Sequence, residues 1–431
     1  MRPKISIPDS YLKMMVEACR FLVGAVFIFS GFVKAVDPLG TAYKIEEYLS
    51  VGGLNAFGFM ALPASFVQLA LEFVMGVCLI AGVYRKINSL LALLVMCFMT
   101  PLTLYLAIAN PVTDCGCFGD ALVISNWQTF FKNIPLTLAS ILIFWRHKQM
   151  TAWFSVKSRS LVLLYSFVFV LGVSLYCYAN LPILDFRPYK IGNNIVQLMK
   201  VPENAEKDVF ETKLIYEKDG KQQEFTLDNY PQGDSAWKFV DAKSKLIRKG
   251  YEPPIHGFTI SDAYGADATD EILSDPNYVF LLIAHKLEQA NDSHVDKIND
   301  LYDYAKQNDY CFLCLTASLP SQIEEWKAAT GARYPFYTMD DVTLRTIIRS
   351  NPGLVLIKNA VIINKWPDRK IPGEEELVSS LEDCALGYPP ASHKARNLIE
   401  LAGILIVPLL ILAWFDFYHY RRKKSIQPSN V

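Results

Sequence analysis

The sequence predicts a multi-pass α-helical membrane protein that carries an α/β domain on one side of the bilayer. Of its 431 residues, 52% are hydrophobic and 20% charged, whereas soluble chains hold about 25% charged residues. The charges are unevenly placed, few within 14–181 and most within 185–396. Six apolar stretches also reach the roughly 17–25 residues that a bilayer crossing needs. The net charge of −1 gives no footprint for nucleic acid.

The six stretches are 14–36, 62–83, 87–109, 127–145, 161–181 and 398–417. The first begins after a basic "MRPK" but is too long for a secretion signal and ends in "GFVKAVDP", with no small-residue cleavage site. It is expected to be a retained helix. Short loops make the first four an antiparallel bundle within 1–148. The fifth crossing, 161–181, leads out, and the sixth, 398–417, leads back to a basic tail, 418–431.

Positive loops stay cytoplasmic. Arg2 and Lys4, Arg85 and Lys86, Arg146 to Arg159, and Arg421 to Lys424 all fall on one side of a six-crossing chain. The expectation is an inner (cytoplasmic) membrane protein with both termini cytoplasmic. The segment 37–61, the loop 110–126 and the block 182–397 then lie outside, in the periplasm.

The external block divides in two. A β-rich segment, 182–250, holds "KLIYEKDGKQQEFTL", in which Asp219-Gly220 suits a tight hairpin turn. From 251 to 385 the pattern becomes strand–helix–strand–helix followed by a hairpin. Its strands are "YVFLLIA", "YCFLCLTA", "YPFYTM", "GLVLIKN" and "VIINKWP", an α/β sandwich pattern.

Nine cysteines are present. Four sit singly in apolar spans, where cysteine packs as a small hydrophobe. Cys311 and Cys314 lie on one predicted strand, where positions i and i+3 face opposite ways, so they too are expected to pack. Cys115 and Cys117 differ. They stand in "TDCGCFGD" at the outer end of the bundle, where disulfides persist. A metal site needs about four ligands, and only two thiols are near. A fixed staple would close almost no loop. A reversible redox pair fits the spacing, because Gly116 and Gly119 permit the backbone angles of a tight ring and strained disulfides are the readily reduced ones. Asp114 disfavours a thiolate, so a basic or helix-dipole partner is required.

Glu72 sits inside the second span with Gln68 one turn earlier, and Lys34 lies at the outer end of the first. Intramembrane carboxylates are rare and are paired or functional. A structural Lys34–Glu72 pair and a proton or quinone-binding site are both open.

With these residues in view, "FSGFVKAVDP" (29–38), "LALEFVMGVCLIAGVYRK" (69–86) and "DCGCFGD" (114–120) resemble the DoxX-like superfamily, in its methylamine-utilisation MauE branch. The resemblance covers 14–148 and implies disulfide formation in exported proteins alongside a thioredoxin-like partner. "PPIHGFTISDAYGAD" (253–267) and "SNPGLVLIKNAVIINKW" (350–366) resemble the thioredoxin fold, with Pro352 at the family's cis-proline. The family's redox pair would fall in "HKLEQAND" (285–292), which has no cysteine.

Together these readings predict a membrane thiol–disulfide redox protein that uses Cys115 and Cys117 on an exported cysteine-containing client. A quinone is its conceivable acceptor and membrane lipid its surroundings. The alternatives are an assembly factor with a structural CGC disulfide, and a DoxX-like subunit that oxidises a sulfur compound with quinone.

Overall fold

The computed structural model describes residues 8–207, 209–218, 220–233, 236–248, 250–391 and 394–426. Arg2, Lys4, Asp219 and the tail after 426 lie outside the described residues.

The bundle comprises α1 (Asp9–Val36), α2 (Pro38–Val51), α3 (Ala61–Ala81), α4 (Arg85–Ala109) and α5 (Asn126–Trp145), followed by α6 (Arg159–Ala179). Glycines set its tightest contact. A Cβ on Gly31 of α1 would lie 2.5 Å from the Phe73 nitrogen of α3, and one on Gly76 of α3 would lie 2.7 Å from the Gly24 carbonyl oxygen of α1. Small residues thus let the two backbones meet, as membrane helices require when apolar burial gives no drive. α4 and α5 pair through a polar seam beside their prolines, Pro101 and Pro135. Thr100 and Thr137 hydroxyls meet at 2.7 Å, and Asn133 Nδ2 donates to Thr103 Oγ1 at 3.2 Å.

The segment 37–61, expected as an outer loop, instead contains helix α2. Asp37 caps it by accepting from Gly40 N at 2.9 Å, and Pro38 occupies its first turn. Its mixed composition hid it from a search for apolar runs.

A short helix, α7 (Ile195–Met199), precedes a three-stranded antiparallel sheet of β1 (Val209–Lys218), β2 (Lys221–Thr226) and β3 (Lys238–Arg248), ordered β2-β1-β3. The stretch 182–207 therefore holds no strand of that sheet. Gly192 N donates to Ile362 O, and Tyr189 and Ile195 enter the core of the following domain. That domain runs α8 (Thr269–Ser274), β4 (Tyr278–Ile283), α9 (Val295–Gln307), β5 (Cys311–Thr316), α10 (Pro320–Thr330), β6 (Phe336–Thr338), α11 (Asp341–Ile347), β7 (Gly353–Lys358) and β8 (Val361–Pro367).

Its sheet order is β6-β5-β4-β7-β8. The strands β6, β5 and β4 are parallel, and β7 and β8 are antiparallel. All of β4 is buried because both faces are covered. Val279, Leu281 and Ile283 pack toward α7, α8 and α11, and Tyr278, Phe280 and Leu282 toward α9 and α10. Cys311 joins the first layer and Cys314 the second, on opposite faces as the strand period requires. α12 (Lys394–Ile426) then returns along α6.

Among the described residues five helices are long and apolar enough to cross a membrane: Asp9–Val36, Asn55–Ala81, Arg85–Ala109, Arg159–Ala179 and Ala395–Tyr418. α5, expected as a sixth, falls short in composition because Asn126, Gln128, Lys132 and Asn133 crowd its first turns. The loops after α3 and α5 share one end of the bundle, where Arg85 Nη1 donates to Met150 O at 2.6 Å. Asp416 of α12 joins them by accepting from the Ser155 and Ser158 hydroxyls at 2.9 and 2.8 Å. The CGC loop, α2 and the α/β domain gather at the other end.

Candidate dithiol site

The CGC loop is built from its two ends inward. α4 stops at Asn110, which turns the chain with a φ of 46°. α5 starts at a capping box: Ser125 Oγ accepts from Gln128 N at 3.2 Å, and Gln128 Oε1 accepts from Ser125 N at 3.0 Å. Asn126 Nδ2 ties the ends together, donating to Asn110 Oδ1 and Val112 O. Within the loop Gly116 and Gly119 hold φ of 67° and 49°. A Cβ on Gly116 would also lie 2.8 Å from Lys44 Cγ. Asp114, set against an ionised thiol in the sequence reading, is taken up locally. Its Oδ1 accepts from Gly116 N at 2.7 Å and its Oδ2 from Lys44 Nζ at 3.2 Å.

This loop brings the Cys115 and Cys117 sulfurs to within 2.7 Å of each other. Cys115 is buried against Leu106 and Val112, and Cys117 is half-buried. The hydrogen bond between them favours charge on Cys117. Burial opposes that charge, and the ammonium groups of Lys132 and Lys34 restore it, so the Cys117 thiol is lowered to about 7 from an ordinary 9.0. The Cys115 thiol moves up, because of its bond to the neighbouring sulfur and its burial. Lys132 is the basic partner that the sequence reading called for without naming. Its Nζ lies over the Phe118 ring at 4.1 Å.

Beneath the loop, Lys34 Nζ donates to Glu72 Oε2 and Ser30 Oγ at 2.7 Å each, and to the Cys117 carbonyl at 3.0 Å. Ser30 Oγ donates to the same carbonyl at 2.6 Å. Gln68 Nε2 donates to Glu72 Oε1 at 3.1 Å. Both Glu72 oxygens are thus engaged, and neither touches a sulfur. Lys34, Gln68 and Glu72 form one buried cluster that fastens the dithiol loop to α1 and α3.

Above the loop stands the α/β domain. Arg349, just after α11, sets Nε and Nη2 on Asp37 at 3.1 and 2.9 Å and reaches Asp120 at 3.3 Å. Between bundle and domain lies a cavity of about 1580 Å³ lined by Lys34, Glu72, Cys115, Cys117, Lys132 and Arg349 among others. Its bundle wall includes Leu71, Leu94 and Phe98, which are also exposed on the outer face of the bundle.

Pro352 lies elsewhere. The Asn351–Pro352 peptide is cis, and Asn351 Nδ2 donates to Lys286 O at 2.8 Å. The cysteine-free segment 285–292 therefore lies beside this proline. Among the described residues no group of three or more His, Cys, Asp or Glu is placed to hold a metal ion.

Residues 12–146 match the family of the methylamine utilisation protein MauE. That match spans the bundle from α1 to α5 and contains the whole dithiol loop, so the likeness covers the residues that carry the site. Residues 210–249, the three-stranded sheet, match a domain of unknown function, DUF8463. A solution structure described as a "putative protein disulfide isomerase" from Bacteroides thetaiotaomicron is similar over 27% of this chain and 77% of its own, at 19% identity and a TM-score of 0.22. No curated protein matches the chain.

Proposed function

We propose that the protein is a membrane thiol–disulfide oxidoreductase whose Cys115–Cys117 pair oxidises or exchanges disulfides with exported cysteine-containing proteins. The observation that carries this reading is the pairing of two cysteine sulfurs 2.7 Å apart in a loop that opens on a cavity lined by the ammonium groups of Lys34 and Lys132. A staple has no use for an open cavity and flanking cations. An exchange pair does, because a nearby cation stabilises the departing thiolate.

In the oxidised protein, a client thiolate attacks Cys115 Sγ. The Cys115–Cys117 bond breaks and Cys117 departs as a thiolate beside Lys132 and Lys34. A second client thiolate then attacks the mixed disulfide and expels Cys115. Two electrons and two protons have passed from the client dithiol to the CGC pair. A quinone would supply a lipid-soluble acceptor for both. The cavity fits one, since Leu71, Leu94 and Phe98 extend it toward the lipid side while Lys132 and Gln68 place donors at its inner end. The thioredoxin-like domain at 251–385 has no redox pair of its own and serves to cover the site. The membrane is the inner one, with the CGC loop and residues 182–397 extracytoplasmic and both termini cytoplasmic. The DoxX-like relation rests on this same reading.

The test is a mixed-disulfide trap. Cys117→Ser leaves Cys115 able to hold a client covalently, and the adduct should vanish with reductant. If neither Cys117→Ser nor Cys115→Ser captures a partner, and both complement a deletion strain, the CGC loop is structural.

A further inference from the structure

We infer that Arg349 of the α/β domain is a positioning residue for the dithiol. It pins the Cys117 end of the CGC loop to α2, so that docking of the domain sets how Cys117 reacts. The inference rests on the proposed redox reading for its purpose, and on geometry alone for its substance.

Beyond the bonds that Ser30 and Lys34 make to the Cys117 carbonyl from beneath, the loop has two outer anchors. Its Cys115 side is held by α2, where Lys44 Nζ meets Asp114 at 3.2 Å and the Tyr48 hydroxyl donates to the Cys115 carbonyl at 2.9 Å. Its Cys117 side ends in Asp120, three residues on, and is reached by Arg349 from above. The same guanidinium forks onto Asp37, the residue that caps α2. One buried cation therefore joins the loop, the α2 cap and the α/β domain. Its place is made for it. Gly40 lies so close that a Cβ there would stand 2.8 Å from Arg349 Nη2 and 2.4 Å from Asp37 Oδ2. Tyr43 of α2 fills the gap between two guanidinium groups, with Arg345 at 4.7 Å and Arg349 at 5.3 Å from its ring centre.

The contact also has a direction. Arg349 Nη1 donates to the Arg345 carbonyl, Arg345 pairs with Glu46 of α2 at 3.2 Å and with Asp341 at 2.9 Å, and Asp341 lies 3.4 Å from His285 Nδ1. α11 thus runs from the segment where a thioredoxin-like domain would carry its own redox pair to the loop that carries this one. A buried guanidinium between two carboxylates is costly to remove, because it leaves those charges unpaired. It is a device for holding position.

The charged and titratable groups around Cys117 are Cys115 and Asp114 on the loop, Lys34 from α1, Lys44 and Tyr48 from α2, Glu72 from α3 and Lys132 from α5. Arg349 is not in contact with the sulfur, so its effect must pass through loop position. Loosening the Asp120 end lets Cys117 move from Cys115, Lys132 and Lys34 together.

The experiment measures alkylation of Cys117 against pH in the full-length, reduced, detergent-solubilised protein, with site-resolved mass spectrometry. The variants are Arg349→Gln, Arg349→Lys and Asp120→Asn. Arg333→Gln, which breaks an exposed pair with Asp303 on the same domain, is the control. The wild-type midpoint is expected near 7. Arg349→Gln and Asp120→Asn should both move it upward and slow alkylation at pH 6.5 by about tenfold, the effect of one pKa unit. Arg349→Lys should fall between, since it keeps the charge but loses the fork. Arg333→Gln should match wild type. Asp120→Asn leaves the Arg349–Asp37 pair in place, so it carries the test if Arg349→Gln does not fold. An Asp120→Asn profile superimposable on wild type overturns the inference. A shifted profile in a protein whose CGC pair never cycles in cells would sustain it and defeat the redox reading instead.

Discussion

Cys117 sits between two ammonium groups and one carboxylate, so single substitutions around it should move its titration in opposite directions. Lys132→Gln removes a cation that favours the thiolate and should slow Cys117 alkylation at pH 6.5 by about three- to tenfold. Glu72→Gln removes the anion that opposes it and should speed the same reaction by a similar factor. Parallel changes in the two variants would mean that loop distortion, not charge, dominates. The sequence exposed part of this constellation. Lys34, Gln68 and Glu72 stand out because they are polar groups in apolar spans. Lys132 meets the same criterion within 127–145, but a lysine near the end of a span reads as a side chain that reaches for the interface. Ser30 and Tyr48 gave no signal, since both are ordinary residues whose role depends on which carbonyl the fold brings to them.

At the level of elements, two glycine positions do different work. Gly116 needs both its left-handed backbone and the empty space beside Lys44. Gly116→Ala should cost about 1–2 kcal/mol locally and displace Lys44 from Asp114. The expected readout is a Cys115–Cys117 bond that forms more slowly at fixed glutathione ratio, with little change in thermal unfolding. Gly31 instead sets the α1–α3 distance. Gly31→Leu should lower the unfolding temperature in detergent, with overpacking of about 1–3 kcal/mol, and should leave Cys117 alkylation unchanged until the protein melts. Helix α2 shows where the sequence pattern was silent. It is short and of mixed composition, and it lies between two apolar spans whose contrast concealed it. The strands of the α/β domain were plain, because fully buried parallel strands read as unbroken apolar runs. The stretch 182–207 was misplaced because its pairing with β8, at Gly192 and Asn193, is a long-range fact.

For the whole molecule, the contact between Arg349 and Asp37 joins residues 312 apart in the chain, and no local pattern announces it. It turns two domains that the sequence separates cleanly into one site. The cysteines left outside that site should be inert. A full-length Cys115→Ser/Cys117→Ser protein should show no insulin reduction, since Cys311 and Cys314 face opposite layers of the sheet. Residual activity lost on Cys311→Ser would contradict that placement. Sidedness is tested by reporter fusions. Those after Lys148 should read cytoplasmic and those near Gly265 external, and an external reading after Lys148 would invert the arrangement.

The central claim is that Cys115 and Cys117 cycle. The direct measurement is the redox state of this pair in growing cells, read by acid quench and alkylation-induced mass shift on a chain whose other seven cysteines are serine. The account predicts a mixture of dithiol and disulfide that moves toward dithiol when exported thiol clients are overproduced and returns when they are withdrawn. A pair that stays fully oxidised, or fully reduced, under every such condition would contradict it.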